Sequence, residues 1–193
     1  MQESLKIDYM QPFLEKAIEL EALKFGDFTL KSGLKSSYFF DISEFFKNDA
    51  LKMLSDLYVD RIIEEGITFE VIFGPAYKGI PLASAVGISY FEKTGKSVDL
   101  VFDRKEIKDH GEGGNIIGNL DLKKVLIIDD VLTAGTAIKN SLKVLKAQKA
   151  SLSGVIVALD REEKNELDVS YREILEKDGI PIYSIAKISD LKK

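Results

Sequence analysis

The sequence predicts an α/β protein: a doubly wound, mainly parallel sheet with flanking helices and a small N-terminal hood. Three observations predict it. From about Phe69 short apolar runs alternate with helical patterns, the order of strands joined by crossover helices. Several of those runs are β-branched and apolar throughout, as in strands covered on both faces. The length, 193 residues, suits one domain or one domain with an appendage, large enough to bury a core without disulfides or metal.

Along the chain, residues 13–23 carry a helical pattern. Phe25-Gly-Asp-Phe-Thr-Leu-Lys-Ser-Gly33 and Tyr38-Phe-Phe-Asp-Ile42 then predict two short strands with glycine turns, a cap over the edge of the sheet. Six of the eleven phenylalanines lie between Phe25 and Phe46, so this cap either packs a mini-core or offers rings to a flat ligand. Leu51, Leu54, Tyr58 and Ile62 recur at helical spacing just before the first core strand. Strands are expected at 70–73, 98–102, 124–129, 154–159 and 182–187. Helices are expected at 80–93, 137–147 and 169–177; Ile138, Leu142 and Leu145 give the second its apolar stripe. The expected division is a helix and hood over 1–48 and a core over 49–193. Ligands of such sheets bind beyond the carboxyl ends of the strands, so the residues after each strand are the candidates.

Composition removes several chemistries. There is no cysteine, which excludes a disulfide scaffold, thiolate zinc sites, iron–sulfur clusters and a cysteine nucleophile. The single histidine, His110, excludes a multi-histidine metal site. The longest uninterrupted apolar run, 155–159, is far too short for a membrane span. Residues 1–8 lack the basic and apolar regions of a secretory signal. A soluble cytoplasmic protein is the expectation. A net charge of −5 argues against bulk binding of nucleic acid or an anionic membrane, while a local cationic site can still take a small anion.

The most informative segment is Val125-Leu-Ile-Ile-Asp-Asp-Val-Leu-Thr-Ala-Gly-Thr-Ala137. An apolar strand closes on Asp129 and Asp130, a short loop follows, and a helix begins near Ala137. Loop amides and a helix N-terminus make an anion site. Thr133 and Thr136 add hydroxyls, and Gly135 permits close backbone approach. Two carboxylates beside a phosphate loop suit a ligand with both a phosphate and vicinal hydroxyls, such as a ribose phosphate. They also stabilise positive charge developing at a sugar carbon. The segment matches neither the dinucleotide nor the P-loop pattern. In the Phe73–Pro81 stretch, Gly74, Pro75 and Gly79 predict a tight loop and Lys78 supplies a cation, a cradle for a diphosphate or a helix-capping turn. Residues 104–114 carry Arg104, Lys105, Lys108 and His110 among Gly111, Gly113 and Gly114; this reads as a solvated loop or as a lid over a polyanion. Arg161 follows a strand, where its planar fork takes a carboxylate or pairs with Asp160.

Taken together these segments resemble the type I phosphoribosyltransferases, and among them the orotate phosphoribosyltransferase family. The Asp-Asp-x-x-Thr-Ala-Gly-Thr run carries the first likeness. The Phe25–Gly33 and Tyr38-Phe-Phe40 segments, Phe73-Gly-Pro-Ala-Tyr-Lys-Gly-Ile-Pro81, Arg104-Lys-Glu-Ile-Lys-Asp-His-Gly-Glu-Gly-Gly114 and Leu159-Asp-Arg161 carry the second, in the family's order. Ser37 stands where proline often precedes the Tyr-Phe-Phe, and the C-terminal helical extension of some members has no counterpart.

The resemblance implies the type I phosphoribosyltransferase fold and transfer of phosphoribose from 5-phosphoribosyl 1-diphosphate to orotate, in pyrimidine biosynthesis. It implies Mg²⁺ held mainly through the substrate diphosphate and water. It implies a homodimer whose lid reaches the partner subunit's site, with no nucleic-acid or membrane partner. The phosphoribosyl diphosphate would meet Lys31, Tyr77, Lys78, Arg104, Lys105, Lys108, His110, Asp129, Asp130, Val131, Leu132, Thr133, Ala134, Gly135, Thr136 and Ala137. Orotate would meet Lys31, Phe39, Phe40, Thr133 and Arg161. The catalytic set would be Asp129, Asp130, Lys105, Lys108 and His110, and the Ala76–Tyr77 peptide would be cis. A purine or uracil phosphoribosyltransferase, and a non-catalytic RNA-binding regulator, are the rival readings.

Overall fold

The computed structural model describes residues 10–29, 35–104 and 116–192. Helix α1 (Met10–Glu19) leads into an antiparallel pair, β1 (Leu23–Thr29) and β2 (Lys35–Phe40), and then a 3-10 turn, Ile42–Phe45. The core follows as α2 (Asn48–Glu64), β3 (Val71–Gly74), α3 (Gly79–Thr94), β4 (Asp99–Asp103), β5 (Ile116–Ile117) and β6 (Lys124–Leu132). It closes with α4 (Thr136–Ala147), β7 (Ser151–Asp160), α5 (Tyr171–Lys177) and β8 (Ile182–Lys187). Among the described residues no helix is long and apolar enough to cross a membrane.

The six-stranded sheet runs β5-β4-β3-β6-β7-β8, parallel throughout except for β5 against β4. Val71 of β3 lies opposite Asp99 of β4 on one side and Val125 of β6 on the other. The chain thus steps outward from β3 to β4 and later returns to the far side of β3. That reversal opens a crevice between the carboxyl ends of β3 and β6, the usual binding place of such sheets.

Successive strand residues feed opposite faces. Ile72, Leu126, Ile128 and Ile156 join a buried cluster with Leu54, Tyr58, Ile62, Leu82 and Val86 from α2 and α3. Val71, Phe73, Val125, Ile127, Val155 and Val157 join a second cluster with Ile138, Leu145 and Leu175 from α4 and α5. This two-sided cover is why these strands read as continuous apolar runs. The hood joins the first cluster: Phe13 stacks on Phe45 with centroids 5.5 Å apart and meets Phe40 edge-on at 6.0 Å. The mini-core reading holds for Phe40 and Phe45, which are buried with Phe13, while Phe25 and Phe39 are exposed.

Three elements differ from the sequence expectation. The first helix stops at Glu19, because Glu21 turns at φ 56° and buried Leu23 already pairs as a strand. Strand β6 continues past the acid pair to Leu132, which is buried, so Asp129 and Asp130 lie within the strand rather than after it. The two-residue β5 pairs with Phe102 and Asp103 and is too short to leave a periodicity.

Among the described glycines, the tightest approach is in the β3–α3 turn. A Cβ added at Gly74 would lie 2.4 Å from the Gly79 carbonyl oxygen and 2.8 Å from Ala83 Cβ, so backbone must move. Gly87, further along α3, has only Ile72 Cδ1 at 3.9 Å. Gly74→Ala should lower unfolding free energy by about 2 kcal/mol or more through overpacking, whereas Gly87→Ala should be neutral or stabilising by ~0.5–1 kcal/mol. Urea unfolding of both variants checks the contrast.

Candidate active site

Strands β3, β4, β6 and β7 end at one edge of the sheet, and their last residues converge there. A cleft of about 570 Å³ lies at this edge, lined by Phe40, Pro75, Ala76, Tyr77, Lys78, Asp129, Asp130, Val131, Thr133, Ala137 and Arg161. Nine of these eleven were candidates from sequence. Pro75 and Ala76 join them through the Gly74–Lys78 loop, whose Ala76–Tyr77 peptide is cis.

At the floor, Asp129 is buried at 6 % exposure and Asp130 is partly buried. The Asp130 amide donates to Asp129 Oδ1 and the Val131 amide to Asp130 Oδ1, each at 2.9 Å. Below them, fully buried Tyr58 donates its hydroxyl to the Asp129 carbonyl at 2.7 Å. Burial pushes the Asp129 carboxyl up to about 7, with repulsion from Asp130 and Asp103 adding to it. Burial also raises Asp130, and Lys78 pulls it back toward ionisation. The pair accordingly titrates as one unit.

Asp103, the last residue of β4, accepts the Ala76 amide at 2.6 Å and so holds the Gly74–Lys78 loop against the acid pair. Lys78 reaches back across the cleft, 2.8 Å from Asp41 Oδ1 and 3.6 Å from Asp130 Oδ2. Beyond β6, Gly135 sits at φ 71° as the N-cap of α4, a conformation that favours glycine. No side chain caps this helix, so its first-turn amides face the loop without a side-chain acceptor. A Cβ at Gly135 would also lie 2.9 Å from Leu175 Cδ1.

Arg161 stands at the opposite wall. Its amide donates to the Leu132 carbonyl at 3.1 Å, and its side chain is 8 % exposed. The guanidinium lies 4.5 Å over the Tyr38 ring, with Nε 2.7 Å from Glu163 Oε1, outside hydrogen-bond alignment, and Nη2 donating to Ser36 Oγ at 3.4 Å. Burial pushes the Tyr38 hydroxyl up to about 12, Arg161 opposing. Asp160 does not pair with Arg161: it is buried and takes the Arg172 guanidinium, which also donates to the Ile182 carbonyl and Ser184 Oγ.

Of the remaining candidates, Arg104 follows β4 at the same edge of the sheet. Leu132 is 1 % exposed and packs in the core, so only its backbone faces the loop. Phe39 packs on Phe28 with centroids 5.7 Å apart, beside lining residue Phe40. Lys31, Lys105, Lys108 and His110 lie outside the described residues. Sequence reading missed Asp41, Asp103, Tyr38 and Glu163. Asp41 and Tyr38 belong to the Tyr38–Ile42 segment already singled out, and Asp103 sits at a predicted strand end, so a charge count at those ends would have found both acids.

Comparison with known proteins agrees with this geometry. Residues 41–182 match the phosphoribosyl transferase domain family. The chain is 43% identical over 184 residues to an orotate phosphoribosyltransferase of Salmonella arizonae, covering 95% of this chain and 86% of that one. It is 46% identical over 184 residues to the one of Aeromonas salmonicida, covering 95% and 85%. A crystal structure of orotate phosphoribosyltransferase from Francisella tularensis superposes with a TM-score of 0.81 at 38% identity, covering 93% of this chain and 87% of that one.

The buried acid at position 129 makes stability depend on pH. Its carboxyl titrates near 3.8 when unfolded and near 7 when folded, so the folded state holds the extra proton in between. Stability therefore falls as pH rises through that window. Asp129→Asn keeps the acceptor for the Asp130 amide and removes the charge. Its advantage over the parent should grow from pH 5 to pH 8 and exceed ~1 kcal/mol at pH 8. Thermal melts across that range check it, and a constant difference would remove burial as the cause.

Proposed function

Because the chain belongs to the phosphoribosyl transferase domain family, and within it to the orotate phosphoribosyltransferases, we propose that it transfers phosphoribose from 5-phosphoribosyl 1-diphosphate to orotate. The products are orotidine 5′-monophosphate and diphosphate, in pyrimidine (UMP) biosynthesis. The observation that carries this reading is the crevice between β3 and β6, where an acid pair, an uncapped helix N-terminus, a lysine and a buried arginine share one cleft.

In this reading the amides of Val131 to Ala137, with the hydroxyls of Thr133 and Thr136, hold the 5′-phosphate at the start of α4. Asp129 and Asp130 accept the ribose hydroxyls. As the bond from C1′ to the diphosphate oxygen breaks, its electron pair leaves with the diphosphate and positive charge gathers on the ribose ring. The fixed carboxylates below stabilise that charge. The nitrogen of orotate then bonds to C1′ and its proton is lost. Tyr77 and Lys78 face the leaving diphosphate, with Lys31, Arg104, Lys105, Lys108 and His110 assigned to the same polyanion. Arg161 takes the orotate carboxylate through its free edge, beside the Phe39–Phe40 backbone and Thr133. The 1–48 hood thereby serves base recognition, and the 49–193 core serves phosphate and ribose.

The donors at the cleft floor are hard carboxylate oxygens, and among the described residues no group of three or more acidic or imidazole side chains could hold a metal ion. Such a donor set fits Mg²⁺ that takes its ligands mainly from the diphosphate and water. Bound there, the ion neutralises diphosphate charge. We place the enzyme in the cytoplasm as a homodimer with its lid shared between subunits. Sharing of the lid is what the family resemblance implies; its cationic, glycine-rich composition suits a loop that closes over a polyanion. Ile88 and Phe91, exposed three residues apart on α3, supply an apolar face for a second copy.

Diphosphate release should require orotate and Mg²⁺, with uracil, hypoxanthine and adenine at least a hundredfold poorer. Turnover with a purine instead, or salt-sensitive RNA binding without turnover, would replace this reading. Asp129→Asn and Asp130→Asn should each lose about 3 kcal/mol of transition-state stabilisation, roughly a hundredfold in kcat, while remaining folded.

Sharing of the lid has its own test. Lys105→Ala and Arg161→Ala homodimers should each be nearly inactive, but a mixed dimer keeps one intact site. Equal mixing makes about half the dimers mixed, so activity should recover to roughly a quarter of the parent. Native mass spectrometry verifies the mixing; no recovery would place the lid over its own subunit.

A further inference from the structure

Lys78 is the cation set beside the acid pair, and its ammonium is turned toward the hood. It stands 2.8 Å from Asp41 Oδ1, closer than the 3.6 Å to Asp130 Oδ2. Asp41 does not line the cleft, whereas Lys78 and Asp130 do. Asp41 is also the fixed partner. Its own amide donates to the Ala22 carbonyl at 2.8 Å, and its Oδ1 accepts the Ser43 amide at 3.1 Å as the cap of the 3-10 turn. Lys78, by contrast, carries a flexible stem with 44% of its side chain exposed, so the lysine is the member that moves. Burial works against the Asp41 charge, but the Lys78 and Ser43 hydrogen bonds outweigh it and hold the carboxyl at about 2. Asp41 therefore stays ionised at any working pH.

We propose that Asp41 is a positioning residue for Lys78: it draws the ammonium away from the diphosphate subsite in the empty protein, and so weakens diphosphate binding and favours its departure as product. The inference rests on the phosphoribosyl-transfer reading. A lysine held by a fixed carboxylate must exchange partners before it serves a diphosphate, and that exchange offsets part of its attraction. The hood thus acts on the leaving group as well as on the base, through one ion pair across the cleft. Pairs this exposed contribute modestly, so the effect is a few-fold rather than orders of magnitude.

Asp41→Asn keeps the cap to Ser43 and removes the charge; Asp41→Ser also retains a capping oxygen. By calorimetry with inorganic diphosphate and Mg²⁺, both variants should bind about three- to fivefold more tightly than the parent. KM for phosphoribosyl diphosphate should fall in parallel, and KM for orotate should not change. In a Lys78→Met background, read at millimolar diphosphate, the gain should shrink below twofold. An undiminished gain there would mean direct repulsion by Asp41 and would overturn the proposal. Unchanged or weaker binding by Asp41→Asn and Asp41→Ser would overturn it too. If the parent protein bound no diphosphate at all, the transfer reading itself would fall, and this inference with it.

Discussion

Two adjacent carboxylates at a buried strand end are the constraint on which this site is built. Asp129 and Asp130 lie too deep for both to ionise without cost, and neither can leave, because the β6 ladder to β7 continues past them. Every neighbour answers to that fact. The Asp130 and Val131 amides donate to the carboxyl oxygens, Tyr58 fastens the strand from below, and Lys78 reaches over from the β3–α3 loop. Without a bound cationic centre the pair is unfavourable to the fold. On the proposed transfer reading, a sugar carbon gaining positive charge is the partner that would make it favourable.

The crevice that holds the pair exists because the backbone of β3 and α3 comes within contact of β6. Gly79 has room for no side chain: a Cβ there would lie 2.7 Å from Pro75 Cδ and 3.0 Å from the Ile128 carbonyl oxygen. From composition, Gly74 and Gly79 read as glycines that expose backbone to a diphosphate. The packing gives them a prior role, since they let the β3–α3 turn lie directly against β6. Binding by the loop then follows from the approach.

How much of this can be read in advance depends on sequence distance. β6, its acid pair and the Thr-Ala-Gly-Thr turn are contiguous, so strand, anion loop and helix start are legible together. β3, β6 and β7 are legible for a related reason: cover on both faces leaves each an apolar run. Asp41 and Asp103 are visible as charges at predicted strand ends, but their partners, 37 and 27 positions away, are not legible. Arg161 lies between these cases. Its type and place after a strand are visible, but the choice between Asp160 and the cleft is not, and it turns on Arg172, which occupies Asp160 from α5.

The same distances divide the labour of the site. The acid pair and the candidate anion loop come from one strand end and the turn after it, fixed by local backbone. The opposite wall of the cleft joins the N-terminal strand pair to the end of β7, through Tyr38, Ser36 and Arg161 across 125 positions of chain. On the proposed transfer reading, a change of base specificity therefore involves both segments of that wall. The acid pair and the loop that follows it, by contrast, lie in a single stretch of thirteen residues, 125–137, set by local backbone. Phe13, Phe40 and Phe45 bind that hood into the sheet's own core, so it is a rigid wall of the cleft and its side chains, not its placement, are the elements free to vary.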